Sequence, residues 1–257
     1  MYFWAGPSQI PEEIPGVPIF STLHLLWLTA VFLSCLAVCF LFIRLEKQRK
    51  SEWMKILGTL LLIVEITRLL LLAAVGDFSL SEALPLQLCD VMVFVECYAI
   101  RRKNAFSREL CFALGLPGAL SALITPGETG YPMLNIHYLL FIFIHLLLFL
   151  LPCLMLLNGF RPSIRRLPAC FAFLLVLAAM DYVVNTAVKA NYLFLQYAPQ
   201  GSILEPLQNR VGNWYLPALA VLVWGIWGAL YGIYFLFRHL FFCFKPNRRK
   251  RSVRLHP

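Results

Sequence analysis

Residues 135–157 read NIHYLLFIFIHLLLFLLPCLMLL, an apolar stretch without Asp, Glu, Lys or Arg. About 20 apolar residues are needed for an α-helix to cross the hydrocarbon core of a bilayer, so this stretch predicts a membrane-spanning helix. The whole chain agrees, because 60% of its 257 residues are hydrophobic and only 14% are charged. That composition excludes an ordinary soluble enzyme, a coiled coil and a disordered chain.

Six further apolar segments accompany this one. They lie at 19–43, 54–75, 84–100, 110–124, 168–188 and 214–240. The two weakest are 84–100, which contains Asp90 and Glu96, and 110–124, which contains Pro117. Such segments cross a membrane only when neighbouring helices cover their polar groups and helix breaks. The sequence therefore predicts an all-α membrane protein, a bundle of seven transmembrane helices.

The basic residues predict the orientation of this bundle. Of the 22 Lys and Arg residues, all but Arg68, Lys189 and Arg210 lie after the first, third and fifth segments or near the C-terminus. Because basic loops stay on the cytoplasmic side, we expect the N-terminus outside and the C-terminus in the cytoplasm. The net charge of +9 is then a marker of topology and gives no reason to expect a nucleic-acid partner.

This topology divides the chain into three parts. We expect an external segment at 1–18, a transmembrane domain at 19–242 and a polybasic cytoplasmic tail at 243–257 that binds anionic lipids of the inner leaflet. Membrane lipids are the expected partners, and the oligomeric state stays open. No cofactor or metal is expected, since Cys35 and Cys39 share a helical face but have no His or further Cys nearby in the sequence.

Ionisable groups inside the predicted spans mark a candidate site, because such groups are costly in a membrane and usually face the bundle interior. Most of them fall between the middle of the bilayer and the predicted outer face, which predicts an outward-opening polar pocket between the second, third, fifth and sixth spans. Glu96 lies deeper, and we expect it to snorkel toward the cytoplasm. The candidate binding residues are Glu65, Arg68, Gln87, His137, Asp181, Asn185 and Asn191.

Two interpretations of these residues remain open. Glu65 and Arg68 stand at i,i+3 on one helical face and can pair, as a structural ion pair or as a site where Arg68 holds a lipid phosphate or carboxylate. Cys89 alone is typical of a small buried hydrophobic residue. Together with His145 and the neighbouring Asp90, however, it suggests a nucleophile with its base.

Short motifs in a fixed order resemble the YwaF-type bacterial integral membrane proteins. PLQLCD at 85–90 is similar to that family's PLHLCD, although Gln87 replaces its histidine. Further similar blocks are FSTLH at 20–24, FALGLPGALSALITP at 112–126, NIHYLLFIFIH at 135–145, NYLFL at 191–195 with Pro199, and GNWY at 212–215. The last block departs from the family's GPWPWY.

This family is distantly related to eukaryotic multi-spanning acyltransferases that attach a fatty acyl chain to ether lysophospholipids. The resemblance implies a thioester mechanism in a bacterial plasma membrane, with Cys89 as the nucleophile and His145 as its base. Asp90 or Asp181 is then expected to orient His145. Two other functions remain open: a transporter or receptor-like protein that binds an anionic or lipid-like ligand in the same pocket, and a structural subunit in which the polar cluster only packs.

Overall fold

The structure is a computed structural model that describes residues 2–11, 13–14, 16–126, 130–199, 201–202 and 204–243. This part of the chain contains α-helices, short 3₁₀ turns and one π-helical segment, Cys111–Gly115, and no β-strand, which confirms the all-α prediction for it. The α-helices are α1 Thr22–Arg44, α2 Lys47–Ala74, α3 Leu88–Arg102, α4 Ala105–Leu110, α5 Leu116–Ile124, α6 Ile136–Leu157, α7 Leu167–Val188, α8 Leu204–Val211 and α9 Tyr215–Cys243. The predicted basic tail after Cys243 lies outside the described residues.

Six helical stretches are long and apolar enough to cross a membrane. They are Thr22–Arg44, Lys47–Ala74, Ala105–Ile124, Ile136–Leu157, Ile164–Val188 and Leu204–Leu240. The remaining predicted span is α3, whose 15 residues extend about 22 Å, less than the roughly 30 Å of a hydrocarbon core. Seven spans therefore remain a prediction.

The start of α3 explains its shortness. The sequence predicted a span from 84, but the helix begins only at Leu88. Pro85 disfavours a helical conformation of the residue before it. Gln87, in turn, is extended and accepts the backbone N–H of Leu193 through its side-chain oxygen at 3.1 Å. This contact fixes the entry of α3 beside a loop that is far away in sequence.

The chain divides into two compact units after Leu216. The first unit holds α1 to α8, and within it α6 packs against α1, α2, α3 and α5. The second unit begins at Pro217, and its described part is the continuation of helix α9 to Cys243.

The N-terminal segment ties the end of α2 to the start of α6. Asn135 caps α6 and donates its side-chain amide to the carbonyls of Tyr2 and Ala5, each at 2.8 Å. Ser8 donates its hydroxyl and its backbone N–H to the carboxylate of Asp77, just beyond α2. These contacts identify one end of the unit, which we call the predicted outer end.

Two loops meet at the same end through Tyr192. Asn185, near the end of α7, bonds the backbone of Tyr192 in both directions at 2.7 and 3.0 Å. The Tyr192 hydroxyl donates to the Leu80 carbonyl at 2.9 Å and accepts the Leu84 N–H at 3.0 Å. Burial raises the pKa of Tyr192, so its hydroxyl stays a donor at neutral pH. The starts of α3 and α6 and the ends of α2 and α7 are thus gathered together.

Candidate functional site

An ion-pair cluster joins α2 to α3. Arg68 donates to both carboxylate oxygens of Glu65, at 2.5 and 3.1 Å, and to the Asp90 carboxylate at 3.3 Å. The predicted i,i+3 pairing is therefore confirmed, and Asp90 is added to it. Glu65 is only 1% exposed, whereas 19% of the Arg68 side chain is exposed. Two carboxyl groups share one guanidinium here, so Arg68 is held from its own helix and from α3.

Cys89 lies in the first turn of α3, where the helix dipole favours negative charge. Its sulfur faces Gly118 of α5. A Cβ built on Gly118 would stand 3.9 Å from the Cys89 sulfur and 3.5 Å from a methyl of Leu88. The half-buried thiol therefore has beside it a backbone without a side chain, and a Cβ there would make only ordinary van der Waals contact with the sulfur.

Burial and neighbouring acidic groups act against this dipole. The carboxyl groups of Asp90, Glu96 and Glu65 lie near the Cys89 sulfur. A thiolate that is largely out of water and beside acidic groups is costly, so nucleophilic attack by Cys89 would need a base that removes the thiol proton as the attack occurs.

His145 is held in the form that such a base needs. Its Nδ1 lies 2.8 Å from the carbonyl oxygen of Phe141, and the two rings are 4.2 Å apart. Because a carbonyl only accepts hydrogen bonds, Nδ1 carries the hydrogen, and in the neutral ring the lone pair is therefore at Nε2. The hydrogen-bond partner of the His145 Nδ1 is therefore the Phe141 carbonyl, and not Asp90 or Asp181, which were expected to orient the ring.

These groups lie in one layer of the first unit. Arg68 is six residues from the end of α2, and Gly118, opposite Cys89, is six residues from the end of α5. Both are therefore about 9 Å below the predicted outer end, and His145, nine residues into α6, is about 14 Å below it. α3 and α6, which carry Cys89 and His145, are packed together. The two helices that carry Cys89 and His145 are thus neighbours, and the roles of the two residues as nucleophile and base stay a prediction.

Two further predicted residues are buried without hydrogen-bond partners among the described residues. Asp181, on α7, is 0% exposed, and neither of its carboxylate oxygens is bonded. His137 stacks on Tyr131 with ring centroids 5.7 Å apart, and neither ring nitrogen is bonded. Buried polar groups normally have partners, so both are groups that a bound polar ligand would satisfy.

Three predicted binding residues instead hold a loop. Asn185 binds Tyr192, Gln87 binds Leu193, and Asn191 bonds the backbone of Gln196 and Tyr197. In each case the side-chain amide is bonded to the backbone of the loop after α7. A role for these three residues in binding substrate remains a prediction.

The expectation that Glu96 snorkels to the cytoplasm is wrong. Glu96 is 0% exposed, and its carboxylate oxygens have no hydrogen-bond partner within the described ranges. The carboxyl group lies against the π-helical segment, where a Cβ on Gly115 would be 2.8 Å from Oε1. Helical spacing places Glu96 on the same face of α3 as Cys89, two turns away, and that face packs on Gly115 and Gly118.

The sequence reasoning also missed an ion pair at the opposite end of the unit. Glu109, which is 0% exposed, accepts hydrogen bonds from Arg166 at 2.9 Å and from the backbone of Ser163 at 2.8 Å. Only its position at the edge of a weak apolar segment hinted at burial. Elsewhere, no group of three or more His, Cys, Asp or Glu side chains placed to hold a metal occurs in the part of the chain that the structure describes.

Long apolar helices with an internal polar layer define a multi-pass helical membrane protein. The chain belongs to the TMEM164 family, a multi-span membrane family whose model matches residues 19–231. This match includes α1 to α8 and residues 215–231 of α9. The comparisons with curated proteins and with solved structures found no match.

Proposed function

We propose that this protein is an integral membrane acyltransferase that moves a fatty acyl group onto a lipid acceptor through a thioester on Cys89. The observation that carries the proposal is the position of the Cys89 sulfur, beside the bare backbone of Gly118 and near the depth of His145. The resemblance of residues 85–90 and 135–145 to the YwaF-type proteins supports the same pair of residues.

The first half of the reaction forms the thioester. His145 takes the thiol proton at Nε2 while the Cys89 sulfur attacks the carbonyl carbon of an acyl ester. The C–S bond forms, the C–O bond breaks, and His145 returns the proton to the leaving alcohol oxygen. The N-terminus of α3 and the guanidinium of Arg68 oppose the repulsion from nearby carboxylates as negative charge develops on the sulfur.

The second half releases the acyl group. The hydroxyl group of the acceptor lipid attacks the thioester carbonyl and gives its proton to His145 Nε2. The C–S bond breaks, and the Cys89 sulfur takes the proton back. In this scheme Asp90 holds the Arg68 guanidinium beside the site, and the unbonded groups of Asp181 and His137 face polar parts of the lipid.

We propose seven spans, with α3 as a short span that neighbouring helices cover. The positions of the basic residues support an outer N-terminus, a cytoplasmic C-terminus and a tail on anionic lipids of the inner leaflet of a bacterial plasma membrane. Cysteine introduced at Ser79 is expected to react with a membrane-impermeant maleimide on intact cells. Cysteine introduced at Ser163 is expected to react only after permeabilisation, and the reverse pattern would refute the orientation.

The enzymatic proposal is tested by replacing the nucleophile. Cys89→Ala is expected to abolish acyl exchange between phospholipids in reconstituted vesicles, while Cys39→Ala, a half-buried thiol on α1, keeps it. Mass spectrometry of the wild type should find an acyl adduct on Cys89 that hydroxylamine removes. Full exchange by folded Cys89→Ala protein would refute the mechanism.

A second candidate function, binding or transport of a solute or lipid-like ligand, is favoured by one observation: Asp181 is fully buried and its carboxylate is unbonded. This function predicts ligand binding that Asp181→Asn weakens and Cys89→Ala leaves intact. An adduct on Cys89 would decide for the enzyme, because binding alone forms no covalent bond.

A further inference from the structure

A buried carboxylate joins two basic segments at the end of the first unit opposite the candidate site. Glu109 on α4 is 0% exposed and accepts hydrogen bonds from Arg166 at 2.9 Å and from the backbone N–H of Ser163 at 2.8 Å. Helix α4 also packs directly against α7. Residues 105–109 therefore lie beside residues 163–166.

Most cationic side chains of these two segments have no partner. Glu109 forms an ion pair with Arg166. The other five form no ion pair and no side-chain hydrogen bond with the described residues: Arg102, Lys103, Arg108, Arg161 and Arg165. Four of these side chains are exposed, and that of Arg108 is half-buried. A group of like charges attracts an anion that lowers their mutual repulsion.

Arg108 supplies a donor that can hold such an anion. Of its guanidinium nitrogens, Nε alone is both buried and without an acceptor in the part of the chain that the structure describes. Buried donors normally have acceptors. Arginine frequently binds phosphate through two parallel N–H groups, and Nε would be one of them here. A phosphate group at Arg108 would thus satisfy the buried Nε while it stays close to the surface cations.

Exposed apolar side chains next to these cations favour a lipid over a free phosphate. Phe106 is 38% exposed and Ile164 is 56% exposed. They lie at the starts of the stretches Ala105–Ile124 and Ile164–Val188, which are both apolar enough to cross a membrane. A phospholipid offers a phosphate group and an acyl chain at this boundary, whereas inorganic phosphate and nucleic acids offer no acyl chain. An anionic phospholipid fits better than a zwitterionic one, because only the anionic lipid brings a net charge opposite to that of the cations.

We propose that Arg108, together with the exposed cations around it, binds the phosphate group of an anionic phospholipid in the leaflet at this end of the unit. The site is separate from Cys89 and His145. It goes beyond the proposed acyl transfer and does not depend on it.

Retention of lipid by the purified protein tests this site. The full chain is titrated with phosphatidylglycerol in detergent, and native mass spectrometry counts the lipid molecules that stay bound. Arg108→Gln should weaken the tightest binding by about tenfold or more, because hydrogen bonds to a charged group are lost. Arg49→Gln removes the same charge from an exposed position of α2 and should bind like the wild type. Equal binding by these two variants would overturn the proposal.

A second measurement uses the wild-type chain and does not depend on the folding of a variant. A phosphatidylglycerol with a diazirine near the ester end of one chain is photolysed with the protein in phosphatidylcholine vesicles. We expect label on residues 105–108 and 163–166, and an excess of unlabelled phosphatidylglycerol should remove it, whereas inorganic phosphate should not. Loss of label with inorganic phosphate would assign the site to a free anion and overturn the lipid assignment. Label confined to other segments would overturn the site itself, and both results leave the acyltransferase proposal unaffected.

Discussion

The ion pair between α2 and α3 offers the sharpest test of how the polar layer is held. Arg68→Gln removes both hydrogen bonds to Glu65 and the contact with Asp90, and leaves the almost fully buried Glu65 carboxylate without a countercharge. Breaking a buried pair on one side costs about 3–5 kcal/mol. Since 19% of the Arg68 side chain is exposed, water screens one side of the pair, and we expect the lower end, about 3 kcal/mol.

A loss of this size lowers the folding equilibrium constant more than about a hundredfold. It should be visible in reversible unfolding by a denaturing detergent in mixed micelles. The paired variant Glu65→Gln/Arg68→Gln removes both charges, and we expect it to recover at least half of the lost stability. Equal destabilisation in the single and paired variants would refute the argument that an unpaired buried charge causes the loss. If the paired variant recovers stability and acyl exchange together, Arg68 is structural only; stability without exchange assigns it to the site.

Three further predictions concern the contacts of α3 and α5 and the loop after α7. Gly118→Ala should keep thioester formation because its Cβ makes only ordinary contacts, whereas Gly118→Leu should slow thioester formation about a hundredfold. Equal rates of adduct formation in the two variants would contradict this prediction. Gly115→Ala forces a Cβ against the Glu96 carboxyl and should lower the free energy of unfolding in detergent by about 1–3 kcal/mol. Adding Glu96→Asp to the same chain should partly restore it. Strictly additive effects of the two substitutions would contradict the contact. Asn185→Ala should cost about 2 kcal/mol or more because two buried backbone groups of Tyr192 lose their partners. Limited proteolysis should then cut the loop faster than in the wild type, and an unchanged cleavage rate would contradict the prediction.

Local features of the sequence predicted the helices well. Residues 135–157 and 168–188 correspond to α6 and α7 within one residue at either end, because hydropathy adds up over consecutive residues. The pairing of Glu65 with Arg68 was also predictable from local sequence, because residues at i and i+3 are neighbours on the surface of any helix. Where the sequence reasoning was less accurate, as at the start of α3, a contact with the remote residue Leu193 sets the boundary.

The sequence by itself determined that this chain is a helical membrane protein with a few costly polar groups in its spans. The length of an apolar segment and the charges within it are properties of consecutive residues, so they can be read directly from the sequence. Only the tertiary structure decided what those groups touch. Cys89 is opposite Gly118, Arg68 binds Asp90, and Asn185 bonds the loop after α7, each across a separation that spacing does not encode. His145 is a mixed case. Its partner Phe141 is a local neighbour at i−4, but only the tertiary structure shows that this carbonyl, and not a carboxylate, bonds the His145 Nδ1. These choices depend on which helices pack together, and packing is a property of the whole unit.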